Sequence, residues 1–189
     1  MNLENSRELH DVIRRCLSGD RKAQQTLFSL CYPLSMNVCR RYASDLGEAK
    51  SLVNEGMLKV FKQLDKYSMN LSFGGWLRRI MVNTAIDHYR KEKVFQDRFK
   101  GIGNEDYTNA FQEDALDSIS AEELLALVQD LPPAYRIVFS LYAVEEYSHK
   151  EIAEHLGISE GTSKSNYAKA RAKLQKALAT LHSSNGQQR

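Results

Sequence analysis

Two groups of side chains in this 189-residue chain have the types and spacing to grip a polyanion. The first is basic: Lys164, Lys169, Arg171, Lys173 and Lys176, interleaved with Ser165, Asn166 and Ala168, with no acid after Glu160. Lysine and arginine neutralise phosphates, and arginine, lysine and asparagine also match the hydrogen-bonding edges of guanine and adenine. The second group is Arg79, Asn83, Asp87 and Arg90, which recur at i, i+4, i+8 and i+11 and would form one row along a helix. No nucleophile-plus-base arrangement and no glycine-rich phosphate loop is legible. The five histidines (His10, His88, His149, His155, His182) are scattered without metal-ligand spacing, so neither a metal nor another cofactor is expected. The chemistry these residues suit is binding.

The first group must be carried by a helix, and the residues before it supply one. Ser148 and Glu151 stand at capping-box spacing, and Ile152, Ala153 and Leu156 follow at helical spacing. Gly157 accepts the positive φ of a tight turn, and Ser159 caps a second helix that bears the basic residues. A plain helical hairpin with a solvated basic face would show the same local signals. The one-sided charge favours entry into a DNA major groove.

Apolar periodicity places the other helices. Leu9, Val12, Ile13 and Leu17 predict a short helix over Glu8 to Ser18, broken at Gly19-Asp20. Ala23, Leu27, Leu30, Leu34, Val38 and Tyr42 predict a longer one, which Pro33 should kink or split. Val53, Met57, Val60, Phe61 and Leu64 form an unambiguous helix face, with Glu48, Asn54, Glu55, Lys59 and Lys62 opposite. Tyr67 to Gly75 reads as a loop. Leu77, Ile80, Met81, Ala85 and Tyr89 are the apolar stripe of a helix over Trp76 to Lys93, whose other side is the Arg79–Arg90 row; Trp76 begins the stripe and reads as core. From about Val94 to Ser120 the periodicity fades into a flexible, acidic linker. Helices resume at Ala121, stop at Leu131-Pro132-Pro133, and continue with Ile137, Val138, Leu141 and Tyr142 on a core face.

The class is therefore all-α: two small helical domains, residues 1–95 and 121–189, joined by a linker over 96–120, the second domain ending in a helix-turn-helix. Net charge is only +2, but it is patchy. Gly101 to Leu131 holds eight acids and no base, whereas Trp76 to Lys93 holds five bases against two acids. Two basic stretches on one chain suggest two contacts with the same polyanion. The polar N-terminus offers no signal peptide and no apolar run is long enough for a bilayer, so no membrane insertion is expected. Cys16, Cys31 and Cys39, an odd count without metal spacing, read as reduced thiols of a cytoplasmic protein.

Three stretches in this order resemble the extracytoplasmic-function sigma factors of bacterial RNA polymerase. EAKSLVNEGMLKVFKQLDKY resembles the group's core-binding helix, and FGGWLRRIMVNTAIDHYRKEK its promoter-melting, minus-ten-reading helix. LPPAYRIVFSLYAVEEYSHKEIAEHLGISEGTSKSNYAKARAKL is similar to its minus-thirty-five-reading domain. The resemblance implies an alternative sigma factor with core RNA polymerase and promoter DNA, duplex and non-template strand, as partners. The group commonly has an anti-sigma factor as a further partner. Catalysis would belong to the polymerase.

The resemblance also implies residue roles. Lys164, Ser165, Asn166, Ala168, Lys169 and Arg171 would lie in the major groove of the upstream element. Asn166 and Lys169 would face base edges, with Ser165 and Arg171 nearer phosphates. Ser68, Met69, Asn70, Leu71 and Ser72 would form a pocket for a flipped base, and capture of that base would drive melting. Asn83 and Asp87 would read neighbouring bases or orient the loop, while Arg78, Arg79, Arg90, Lys91 and Lys93 hold the backbone. Asn54, Glu55 and Lys59 would contact the polymerase. Ser163 departs from the usual Val or Ile, and a buried hydroxyl there weakens packing unless it is hydrogen-bonded. A helix-turn-helix regulator acting without polymerase is the competing reading; a small enzyme built on the linker acids is poorly supported, because no rigid element positions them.

Overall fold

The computed structural model describes residues 7–99 and 120–185. Among the described residues there are eight α-helices, one 3-10 turn and no strand. Two compact units divide the chain, Met1–His88 and Tyr89–Arg189.

The helices of the first unit start and stop where side chains satisfy their ends. Helix α1 (Arg7–Leu17) closes at Gly19, whose φ of 85° is left-handed. Asp20 then caps α2 (Arg21–Arg40), accepting from the Lys22 amide at 2.8 Å and the Ala23 amide at 3.2 Å. The Arg15 guanidinium donates to the same carboxylate at 2.6 Å and holds it below the usual range. Pro33 neither splits α2 nor ends it. It sits on the exposed side, as does Ser29, so water can reach the carbonyl that loses its amide partner. The buried row of α2 is Ala23, Leu27, Cys31, Ser35 and Val38, while Leu30 and Leu34 are only half-buried. Helix α3 (Leu46–Gln63) is capped by Asp45, which accepts from the Glu48 amide, and continues into the 3-10 turn Leu64–Lys66.

Helix α4 (Phe73–Phe99) starts three residues before the expected Trp76 and runs past Val94. The helix thus extends into the stretch expected to be linker: nothing between Val94 and Phe99 is glycine or proline, and the first breaker is Gly101. The remainder of the expected linker, residues 100–119, lies outside the described residues. The first core gathers Leu9 and Ile13 from α1, Leu27 from α2, Leu52 and Met57 from α3, and Phe73, Leu77 and Met81 from α4, all essentially inaccessible. Gly56 of α3 permits this packing, because a Cβ there would overlap the Met81 thioether. Cys16, Cys31 and Cys39 are buried free thiols.

In the second unit, α5 (Ala121–Gln129) opens with a reciprocal box between Ser120 and Glu123, and α6 (Pro133–Ala143) has Pro133 as its first residue. Helices α7 (His149–Leu156) and α8 (Glu160–Asn185) form the expected helix-turn-helix. The Ser148–Glu151 box starts α7, Gly157 at φ 63° ends it, and the Ser159 hydroxyl accepts from the Thr162 amide at 3.0 Å. Val128, Leu131, Ala170 and Leu174 make one apolar cluster tying α5 to α8. Ile137, Val138 and Leu141 are buried, but Tyr142 is 38% exposed and lies outside the core face expected for it.

Candidate nucleic-acid interface

The face of α8 follows from which side it buries. Ser163, Ala170, Leu174 and Leu178 are sequestered, so at about 100° per residue the opposite row is Ser165, Ala168, Lys169, Ala172 and Lys176. Lys164 and Arg171 occupy one flank of that row, and half-buried Asn166 the other. Lys164 is paired with Glu160 one turn earlier, at 2.7 Å.

Ser163 is fully buried, and its hydroxyl is satisfied: it hydrogen-bonds His149 Nδ1 at 3.0 Å. His149 stacks on Tyr142, with centroids 4.3 Å apart, and meets Tyr167 edge-on. This polar and aromatic joint braces the first helix of the pair against the second. Nothing in the local pattern signals it, because the partners are 14 residues apart. Arg136 is a second buried polar brace, donating to the Leu131 carbonyl at 2.9 Å.

Desolvation, then the neighbouring Lys164 ammonium, hold the His149 imidazole below its ordinary 6.5, against the opposing pull of Glu160. The unfolded chain thus takes up the proton first. The contribution to stability is complete above pH 6.5 and is lost as pH falls below that toward the folded value. The second unit is expected to melt at lower temperature as pH is taken from about 7.5 to about 5.5, and His149→Gln should flatten that dependence. Thermal unfolding followed by circular dichroism at stepped pH checks it.

In the first unit, the loop Ser68–Ser72 is held from both sides. Tyr67 Oη donates to the Leu71 carbonyl at 2.6 Å, and the Leu71 amide donates to the Ser68 carbonyl at 3.0 Å. Ser72 Oγ accepts from the Gly75 amide at 3.2 Å, anchoring the loop to the start of α4. Tyr67, Phe73 and Trp76 pack ring on ring, with centroids 5.1–5.5 Å apart, so Trp76 belongs to this support. Above them Leu71 is 60% exposed and Met69 36%. Tyr67 is a functional candidate that sequence reading missed; an aromatic residue directly before the loop was the available signal.

Along α4, Arg79 and Arg90 are exposed and Asn83 and Asp87 half-buried, in one row as the spacing requires. On α3, Asn54 is exposed and Glu55 and Lys59 are half-buried. Three residues with separately expected roles come together here. Lys59 Nζ donates to Asp87 Oδ2 at 2.9 Å and lies 3.8 Å from Glu55 Oε1. Leu58, beside Lys59 and one turn after Asn54, is 62% exposed, on the side of α3 away from the buried Val53, Met57 and Val60. Sequence reading passed over it because it falls outside the apolar stripe. Glu48, His88 and Glu92 bring potential ligand atoms within 4.8 Å of one another, and a Glu48–His88 pair at 3.4 Å accounts for much of that grouping. No helix among the described residues is long and apolar enough to cross a membrane.

Apart from Lys176, these faces fall inside two matched stretches. Residues 27–94 match the family model of Sigma-70 region 2, and residues 121–174 that of Sigma-70, region 4. The ECF RNA polymerase sigma factor SigW of Bacillus subtilis (strain 168) is 25% identical over 179 residues, 89% of this chain and 96% of SigW. The ECF RNA polymerase sigma factor SigE of Mycolicibacterium smegmatis (strain ATCC 700084) is 30% identical over 153 residues, 78% of this chain and 58% of SigE. Among solved structures, the sigma factor RpoE of Bartonella quintana, in complex with the anti-sigma factor NepR, is 22% identical with a TM-score of 0.48, covering 82% of this chain and 96% of that one. With a region 2 match followed by a region 4 match on one chain, and ECF sigma factors among its relatives, the protein belongs to the extracytoplasmic-function sigma factors of bacterial RNA polymerase.

Proposed function

We propose that this sigma factor docks on core RNA polymerase through α3 and reads promoters at two places, the minus-ten region with α4 and the Ser68–Ser72 loop, the upstream element with α8. Residues 1–95 form the docking and melting module, and residues 121–189 the upstream-reading module. Asn54, Glu55 and the exposed Leu58 supply the docking contacts, an apolar anchor within a polar rim. Ser165, Lys169 and Lys176 enter the major groove, with Lys164 and Arg171 toward phosphates on one flank and Asn166 toward a base edge on the other. The loop, braced by Tyr67, offers Leu71 and Met69 as an apolar platform against which an unstacked base packs, which offsets the few kcal/mol of unpairing. The protein supplies recognition and strand separation; bond-making stays with the polymerase. An anti-sigma factor that covers these faces would hold it inactive.

The observation that carries this reading is the pinned loop lying at the start of the helix that bears the Arg79–Arg90 row, a placement a duplex-only regulator does not need. Sequencing transcripts after overexpression will give aligned start sites. Purified protein and core polymerase should then initiate at those sites, and neither should do so alone. A regulator would instead occupy duplex DNA without polymerase and start nothing. Lys169→Ala is expected to weaken upstream-element binding by ~1–3 kcal/mol, read as a lost minus-thirty-five footprint. An unchanged footprint would remove α8 from the groove.

A further inference from the structure

Lys59 sits on the helix that faces the polymerase, yet its ammonium is turned toward α4. Its Nζ lies 2.9 Å from Asp87 Oδ2, whereas Glu55, on its own helix, is 3.8 Å away. Lys59 is the more covered partner, its side chain 27% exposed against 47% for Asp87. The group that reaches solvent is therefore the carboxylate, and it does so within the row of Arg79, Asn83 and Arg90. A lone carboxylate there would repel the phosphates that the two arginines attract. One already paired with an ammonium would not.

We infer that Lys59 is a positioning residue for promoter reading, not a polymerase contact: it neutralises Asp87 and, by holding Oδ2, aims Oδ1 at the amino group of an unpaired base. A carboxylate only accepts hydrogen bonds, so it engages an edge of the unpaired base that presents an amino group, cytosine N4, adenine N6 or guanine N2, and disfavours thymine, whose N3–H lies between two carbonyls. This specificity rests on the α4 row being the minus-ten surface. Lys59 itself touches no nucleic acid, so its influence passes entirely through Asp87.

The test uses holoenzyme at a promoter recovered from transcript starts, with Lys59→Met, Lys59→Arg, Asp87→Asn and the Lys59→Met/Asp87→Asn pair. Core affinity is read by competition against wild type, and melting by permanganate reactivity per bound holoenzyme. Lys59→Met should leave core affinity within ~2-fold and cut melting ~10-fold, Asp87→Asn should do the same, and the pair should be no worse than either. Lys59→Arg, which keeps the charge, should restore most of the loss. Every base of the minus-ten element is also substituted. The position that is costly to change for wild type but silent for Asp87→Asn should be silent for Lys59→Met too, a coincidence that loss of packing alone would not produce. A ~10-fold fall in core affinity with normal melting per complex, or losses in the pair that multiply to ~100-fold, would overturn the proposal. Absence of melting by the wild-type holoenzyme would instead remove the minus-ten reading, and this proposal with it.

Discussion

Gly56→Leu is expected to abolish the native packing of the first unit, lowering its stability by ~3 kcal/mol or more. A side chain at this position starts inside occupied space: its Cβ would overlap Met81 Sδ and lie 2.9 Å from Met81 Cε, with Thr84 Oγ1 at 3.7 Å. Methionine is flexible, but Met81 is completely covered and has no solvent to swing into. Thr84 is equally buried and fixed by its bond to the Ile80 carbonyl at 2.8 Å. Gly56→Ala sets two terms against each other. Alanine gains ~1 kcal/mol of helix propensity, while displacing a buried thioether costs ~1–3 kcal/mol, so a small net loss is expected. Urea unfolding at constant slope measures both variants. A Gly56→Leu protein that unfolds at the wild-type midpoint would show that α3 and α4 do not meet at this point.

Asn83→Ala should cut open-complex formation ~5- to 150-fold, the range given by losing one ~1–3 kcal/mol base contact, and leave closed-complex binding nearly unchanged. Asn83 is half-buried at the middle of the α4 row, where truncation to alanine removes the amide without opening the core. On the proposed reading, closed-complex binding would rest on α8 and the arginines, which would attract duplex phosphates whether or not the strands part. Permanganate reactivity and a footprint, taken on the same samples, separate the two steps. Equal reactivity for wild type and variant would exclude Asn83 from the melted strand's surface.

How far the sequence reaches differs between the modules for a physical reason. The helix-turn-helix is built from local devices: a hydroxyl three residues before a glutamate, a glycine at the turn, and a serine cap. All act within a few residues, so they can be read along the chain. The Ser120–Glu123 box has the same spacing and was equally readable. The end of α4 was not, because apolar periodicity fades near Val94 although the backbone remains helical to Phe99. What stayed hidden depends on distant pairs. Lys59 meets Asp87 across 28 residues, His149 meets Ser163 across 14, and Gly56 matters only because Met81 lies above it. Tyr142 fell outside the core for the same reason: its ring is taken up by His149 and Tyr167, not by the apolar interior.

The buried cysteines have a consequence for the conditions under which this factor works. Exclusion of water pushes the Cys31 and Cys39 thiols up to about 12 and raises Cys16 as well. Peroxide and maleimide attack the thiolate, and at neutral pH these three sulfurs supply almost none of it to the surface. In the folded protein these three thiols are therefore expected to react slowly with either reagent.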